Sequence, residues 1–126
     1  MSEMKVLLVD DEKNFVHALA ERLQLRDLKN ETVFSGEEAM AFMDDKEPDV
    51  MVLDLKMPGI NGIEVLRQVK EQYAGIQVII LTGTGSAQDE EEARELGIFD
   101  YLHKPVDIDS LAGRIREAYQ NKIKKQ

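Results

Sequence analysis

Val6-Leu7-Leu8-Val9-Asp10-Asp11-Glu12 runs four apolar residues straight into three carboxylates. The apolar run is too short for a helix and is built from Val and Leu, which is how a strand buried on both faces reads. The same kind of run recurs at 50–55 (VMVLDL) and 76–82 (IQVIILT). Weaker runs at 31–35 (ETVFS) and 98–103 (IFDYLH) read as flanking strands.

Helix-period segments fill the gaps. The first carries Phe15, Leu19 and Leu23 at i, i+4 and i+8, with Val16 and Ala20 beside them. The second opens Ser35-Gly36-Glu37-Glu38, the pattern of a capping box, and carries Ala39, Met40, Phe42 and Met43. The third carries Ile63, Leu66, Val69 and Tyr73, with Gly75 placed as a C-terminal cap. The fourth runs from Ser86 to Gly97 and has few large apolar residues. Its Asp89-Glu90-Glu91-Glu92 run suits a solvated face, and also an element held loosely enough to move. The fifth carries Ile108, Leu111, Ile115, Ala118 and Tyr119, starts among Asp107 and Asp109, and ends in lysines, the charge order the helix dipole favours. Strand and helix alternate five times, so the expected class is α/β, a parallel sheet with helices on both faces and right-handed crossovers.

Composition narrows the function. One domain spanning residues 1–126 is expected at this length. The absence of cysteine excludes disulfides, thiolate metal sites and thiol catalysis. No apolar run approaches a membrane span, and a strand begins almost at once after MSEMK, so a cytoplasmic chain without a signal peptide is expected. The net charge of -9 disfavours direct nucleic-acid binding and suits protein partners or a bound cation.

In an open parallel sheet, ligands bind beyond the carboxyl ends of the strands. Standing there are Asp10 and Asp11, Asp54, Thr82-Gly83, and His103-Lys104-Pro105. Two unit charges about 4 Å apart repel by roughly 4 kcal/mol at an effective dielectric near 20, so clustered acids must protonate or share a cation. All-oxygen ligation points to a hard ion such as Mg²⁺. Lys104 and Thr82 suit phosphoryl oxygens, and a carboxylate can act as nucleophile to form an acyl phosphate. Met57-Pro58-Gly59 followed by Asn61-Gly62 reads as a tight loop that places Asp54 and starts the third helix. Taken singly, each residue has a plainer reading: an N-cap pair for Asp10-Asp11, a salt bridge for Asp54 and Lys104, a strand-end hydroxyl for Thr82, a half-buried aromatic for Tyr101. His17 and His103 show no partner pattern.

The blocks VLLVDDE, VLDLKMPGINGIEVL, VIILTG and YLHKP together resemble the signature blocks of receiver domains of two-component response regulators, of the chemotaxis-regulator type. The resemblance covers essentially the whole chain. It implies a flavodoxin-like (βα)5 fold with strand order 2-1-3-4-5. It implies Asp54 as phosphoacceptor, Asp11 as a direct Mg²⁺ ligand, Asp10 reaching the ion through water, and the Lys56 carbonyl as a further ligand. Thr82 and Lys104 resemble the phosphoryl-binding pair, Tyr101 the aromatic switch, and Lys104-Pro105 a cis peptide. Lys56 and Thr84 stand where the family tunes phosphoryl lifetime, and neither is an acid or amide that could orient water, so a long-lived phosphoryl group is expected.

The implied partners are a sensor histidine kinase or phosphotransfer protein and a downstream protein target, met through the surface of the fourth helix, fifth strand and fifth helix. The implied state is a monomer or a phosphorylation-dependent dimer. Such a chain is no enzyme beyond its own phosphoryl transfer and slow loss. Two rivals share the topology. A Mg²⁺-dependent aspartate-nucleophile phosphatase would need Asp-x-Asp where Asp54-Leu55-Lys56 stands, and a flavin carrier would need a Ser/Thr/Gly-rich loop where Asp10-Asp11-Glu12 stands.

Overall fold

The computed structural model describes residues 3–125. In chain order the elements are β1 (Val6–Val9), α1 (Lys13–Gln24), β2 (Asn30–Val33), α2 (Gly36–Asp45) and β3 (Val50–Leu53). They continue with α3 (Gly62–Gln72), β4 (Gln77–Thr82), α4 (Ala87–Glu95), β5 (Asp100–His103) and α5 (Ile108–Lys124). The five strands form one sheet in the order β2-β1-β3-β4-β5. Every neighbouring pair is parallel. The alternating pattern led to the α/β class, and the strand order is the flavodoxin-like one that the receiver-domain resemblance implied.

The continuous apolar runs are explained by two cores, one on each face of the sheet. Leu7, Val9, Met51, Leu53, Val78 and Ile80 point to one face and meet Ala39, Met43, Val65, Leu66, Val69 and Ala93 of α2, α3 and α4. Val6, Leu8, Val50, Val52, Ile79 and Leu81 point to the other and meet Val16, Leu19 and Leu23 of α1 and Leu111, Ala112, Ile115 and Ala118 of α5. Among the described residues, no helix is long and apolar enough to cross a membrane.

Several local expectations shift. β3 stops at Leu53, so Asp54 and Leu55 stand beyond it, and β2 begins at Asn30 rather than at Glu31. β5 is confined to Asp100–His103. The buried stripe of α1 runs through Val16, Leu19 and Leu23, while Phe15 is only partly covered. Gly75 does not cap α3. Tyr73 takes that place, its N–H donating to the Val69 carbonyl at 2.7 Å. The glycine cap with positive φ belongs to α4, at Gly97 (φ +95°). In α2, the Ser35 hydroxyl accepts the Glu38 N–H at 3.0 Å, but the Glu38 carboxylate reaches back one residue further than a capping box requires, to the Phe34 N–H at 3.1 Å. The full box is found in α4, between Ser86 and Asp89.

The β3–α3 loop closes as expected. Asn61 caps α3 by accepting the Glu64 N–H at 3.0 Å, and the Gly62 N–H donates to the Leu55 carbonyl at 2.9 Å. Gly62 packs so tightly on the backbone of Asp54 and Leu55 that a Cβ there would collide with both. Backbone cannot yield as a side-chain tip can. Gly62→Ala should therefore lower stability by roughly 1–3 kcal/mol, the usual cost of overpacking. Urea denaturation with an unchanged m-value checks this.

Candidate functional site

Backbone hydrogen bonding continues past the strand ends and sets the site residues in place. The Asp10 N–H donates to the Val33 carbonyl (3.2 Å), the Asp54 N–H to the Val9 carbonyl (3.0 Å), and the Lys104 N–H to the Thr82 carbonyl (3.0 Å). β1 and β3 pair with Val9 opposite Leu53, so Asp10 and Asp54 leave the sheet side by side. Both are 5% exposed. The Lys104–Pro105 peptide is cis.

Lys104 binds this rim together. Its Nζ lies 2.6 Å from Glu12 Oε1, 2.8 Å from Asp10 Oδ2 and 3.5 Å from Asp54 Oδ2. It also sits 4.4 Å from the centroid of the Phe15 ring, close enough for a cation–π contact. Burial works against the ammonium, but the Asp10 and Glu12 hydrogen bonds and the charges of Asp54 and Asp10 outweigh it and push its pKa up. Lys104 thus stays charged throughout the neutral range.

Oxygens of Asp10, Glu12 and Asp54 all lie within 4.8 Å of one another. With the four groups charged, three carboxylates against one ammonium leave two negative charges in excess. Part of the cation the acids require is therefore supplied from within, by Lys104. The donor set is all oxygen, the hard-ligand chemistry that suits Mg²⁺.

The sequence-derived residues divide. Asp10, Asp54 and Lys104 come together. Asp11 is half-buried and stands outside the group of converging oxygens, where Glu12 takes its place. Glu12 occupies the N-cap position of α1 but makes no side-chain cap bond there, and its carboxylate turns to Lys104 instead. Its adjacency to the Asp pair was the available signal. The Lys56 peptide lies against the acceptor candidate, its N–H donating to Asp54 Oδ1 at 3.3 Å. The Lys56 ammonium reaches Asp89 Oδ2 at 3.0 Å and so ties this loop to the start of α4.

Thr82 is fully buried, and its Oγ1 has no hydrogen-bond partner among the described residues. Tyr101 is 5% exposed and its hydroxyl is likewise unpartnered. Burial, then the charges of Asp89, Glu90 and Asp54, push that phenol up. Tyr101 thus already lies inside. The ring is buried rather than half-buried as its plainer reading expected. The ring of His103 meets Tyr101 edge-on at 5.3 Å, and His103 Nε2 is 4.0 Å from Glu90 Oε1.

Residues 6–116 match the family model of the response regulator receiver domain. The chain belongs to that family. The C4-dicarboxylate transport transcriptional regulatory protein DctD of Pseudomonas aeruginosa is 36% identical to this receiver domain over 119 residues, 94% of this chain and 26% of that protein. The transcriptional regulatory protein CpxR of Klebsiella pneumoniae is 38% identical over 112 residues, 89% of this chain and 47% of that one. A receiver domain protein from Clostridium thermocellum superposes with a TM-score of 0.91 at 30% identity, covering 98% of this chain and 99% of its own. A CheY-like receiver domain protein from Methanospirillum hungatei JF-1 reaches a TM-score of 0.95 at 23% identity, covering 99% and 100%, which speaks for the fold alone. The receiver domain spans about a quarter to a half of the length of these curated relatives. Its role is that of the phosphoacceptor module in two-component signalling, and the phosphatase alternative is not favoured.

Burial is the largest influence on Asp10 and raises its pKa above the ordinary carboxylate value, against the lowering effect of Lys104 and the Glu12 N–H. A carboxyl raised in the folded state binds protons more tightly there than in the unfolded chain. Its contribution to stability is full below the ordinary carboxylate pKa and is lost as pH rises through the raised value. In chelator-treated protein, Asp10→Asn should raise the melting temperature at about pH 7, and the gain should shrink toward about pH 4. Paired thermal melts across that range check the sign.

Proposed function

We propose that Asp54 is the phosphoacceptor and that the receiver domain takes its phosphoryl group from the phosphohistidine of a sensor kinase or phosphotransfer protein. The observation that carries this is the unequal sharing of Lys104. Asp10 is held at 2.8 Å, whereas Asp54 has only a 3.5 Å ion pair and a 3.3 Å N–H contact. Of the two buried carboxylates, Asp54 has the more available lone pairs. It also stands just beyond the central strand β3, where its neighbours can stabilise charge that develops on a transferring group.

An Asp54 carboxylate oxygen attacks phosphorus. An O–P bond forms, the N–P bond of the donor breaks, and its electron pair returns to the imidazole. Lys104, paired most closely with Asp10 and Glu12, swings its ammonium a short distance to the new phosphoryl oxygens. Thr82 turns its free hydroxyl to donate to one of them. Asp10, Asp11, Asp54 and the Lys56 carbonyl would hold Mg²⁺, with Glu12 beside them, and the ion would neutralise charge on the transferring group.

The buried Thr82 and Tyr101 carry the change to α4 and β5, whose surface then favours a downstream protein partner. The acidic surface argues for a protein rather than nucleic acid as the direct contact. Relatives named as transcriptional regulators are longer chains, so their output lies beyond what this domain matches. The Lys56 ammonium is engaged with Asp89, and neither Lys56 nor Thr84 is an acid or amide that could orient an attacking water, which supports a phosphoryl group that outlasts seconds.

Incubation with acetyl phosphate and Mg²⁺ should add about 80 Da to the wild-type protein and nothing to Asp54→Asn, read by intact mass. Mg²⁺-dependent labelling that persists in Asp54→Asn would overturn the assignment. Lys104→Ala should keep Mg²⁺ binding, read by calorimetry, yet lose the phosphorylation-dependent change at Tyr101. Full partner binding by that variant would count against the role given to Lys104.

A further inference from the structure

The Tyr101 hydroxyl is buried without a hydrogen-bond partner among the described residues, so what surrounds it is a matter of space. That space lies at Gly85, just before the α4 cap. A Cβ built on Gly85 would fall inside the van der Waals sphere of Tyr101 Oη, and would stand 3.3 Å from Tyr101 Cζ and 3.0 Å from Thr82 Cγ2. The colliding atom ends a rigid ring packed in the core with Ala93 and Ile80, so it cannot bend aside as a lysine tip can. Nor is backbone freedom the reason for glycine here. Among the described glycines only Gly59 and Gly97 have positive φ. The requirement at position 85 is room.

We propose that Gly85 is a positioning residue for Tyr101. The room left by its missing side chain seats the Tyr101 hydroxyl against Thr82, holds the ring inward, and so sets the resting surface of α4 and β5 before any phosphoryl group arrives. The Thr82 methyl borders the same space, so position 85 acts on both buried hydroxyl residues at once. A side chain at 85 must push out either the ring or the threonine. The ring has the easier exit, because its edge-on neighbour His103 is exposed. For its signalling meaning this inference rests on the phosphoryl-site reading, but its steric content does not.

The test uses the full chain without any phosphodonor or metal, so its result is independent of whether Asp54 is the acceptor. The chain has three tyrosines. Labelling with 3-fluorotyrosine, with Tyr73→Phe and Tyr119→Phe to assign the signals, isolates Tyr101. In the wild-type protein its ¹⁹F resonance should be shielded from a soluble paramagnetic relaxation agent. In Gly85→Ala the relaxation enhancement should rise severalfold. An unchanged, shielded signal in that variant overturns the proposal. Tyr101→Phe removes the atom a Cβ would meet, so the loss of urea midpoint caused by Gly85→Ala should be largely recovered when the two are combined. This readout holds even if Gly85→Ala alone folds poorly, and a double variant no more stable than Gly85→Ala also overturns the proposal.

Discussion

The structure turns on one ammonium group. β1 and β3 are neighbours in register, and each is followed by a buried aspartate, so the sheet itself forces two carboxylates together at its rim. Lys104 answers from the far side of β4, its stem passing over Gly83, with a Cβ there only 3.7 Å from Lys104 Cδ. The contacts it makes are unequal in kind. Glu12 is exposed, and an exposed pair contributes little even at a short distance. The Asp10 pair is buried, and removing Lys104 from it would strand the Asp10 carboxylate at high cost, whereas Lys104 without Asp10 keeps Glu12 and Asp54. Lys104 is thus anchored by Asp10, guided by Glu12 and least committed to Asp54. An arrangement that leaves two negative charges uncompensated is poised to take up positive charge, or to release a carboxylate for chemistry.

The second constraint is the thinness of α4. Ala93 is its one buried residue, and its remaining ties are polar: Arg67 to Glu92 at 2.9 Å, Lys56 to Asp89 at 3.0 Å, and Arg94 to Asp100 at 3.7 Å. Partly exposed ion pairs are individually weak and screened by salt. An element held this way sits at the low end of local stability. Lys56 matters doubly, because its N–H touches Asp54 while its ammonium holds the α4 capping box. A change of charge at Asp54 therefore meets α4 through Lys56.

The fold was readable in the sequence because the three central parallel strands leave continuous Val, Ile and Leu runs, and these, with two weaker runs for the edge strands, alternate with helix-period segments. The clustering of the candidate residues was readable for the same reason: Asp10, Asp54, Thr82 and Lys104 all follow or end strand runs. What escaped depends on how neighbours are turned. Phe15 and Val16 both fit a helical stripe, and only packing on the sheet places Val16 in the core and Phe15 under Lys104. Glu12 was visible as the third acid of VLLVDDE, but its turn toward Lys104 follows from the unused cap at α1. Gly75 resembled a helix cap by position alone, whereas the chain leaves α3 through Tyr73 and uses positive φ at Gly97. The inward seat of Tyr101 depends on Gly85, sixteen residues earlier in the chain and on another element, and no periodicity records it.

Two buried hydroxyls without partners among the described residues need an explanation in a domain this small. Each costs on the order of 1–3 kcal/mol relative to a satisfied group, against a total stability of about 5–15 kcal/mol. Val at position 82 and Phe at position 101 would keep nearly the same shape and remove both penalties. A state of the molecule that satisfies them would offset that cost. The Thr82 hydroxyl is placed at the end of β4, on the rim where Lys104 meets Asp54, so a phosphoryl oxygen on Asp54 is the partner that would complete it. The unmet hydrogen bond then acts as stored bias. If Asp54 is the phosphoacceptor, that bias weakens the unphosphorylated state and leaves the phosphorylated one unaffected, which shifts the balance between them by about the size of the penalty.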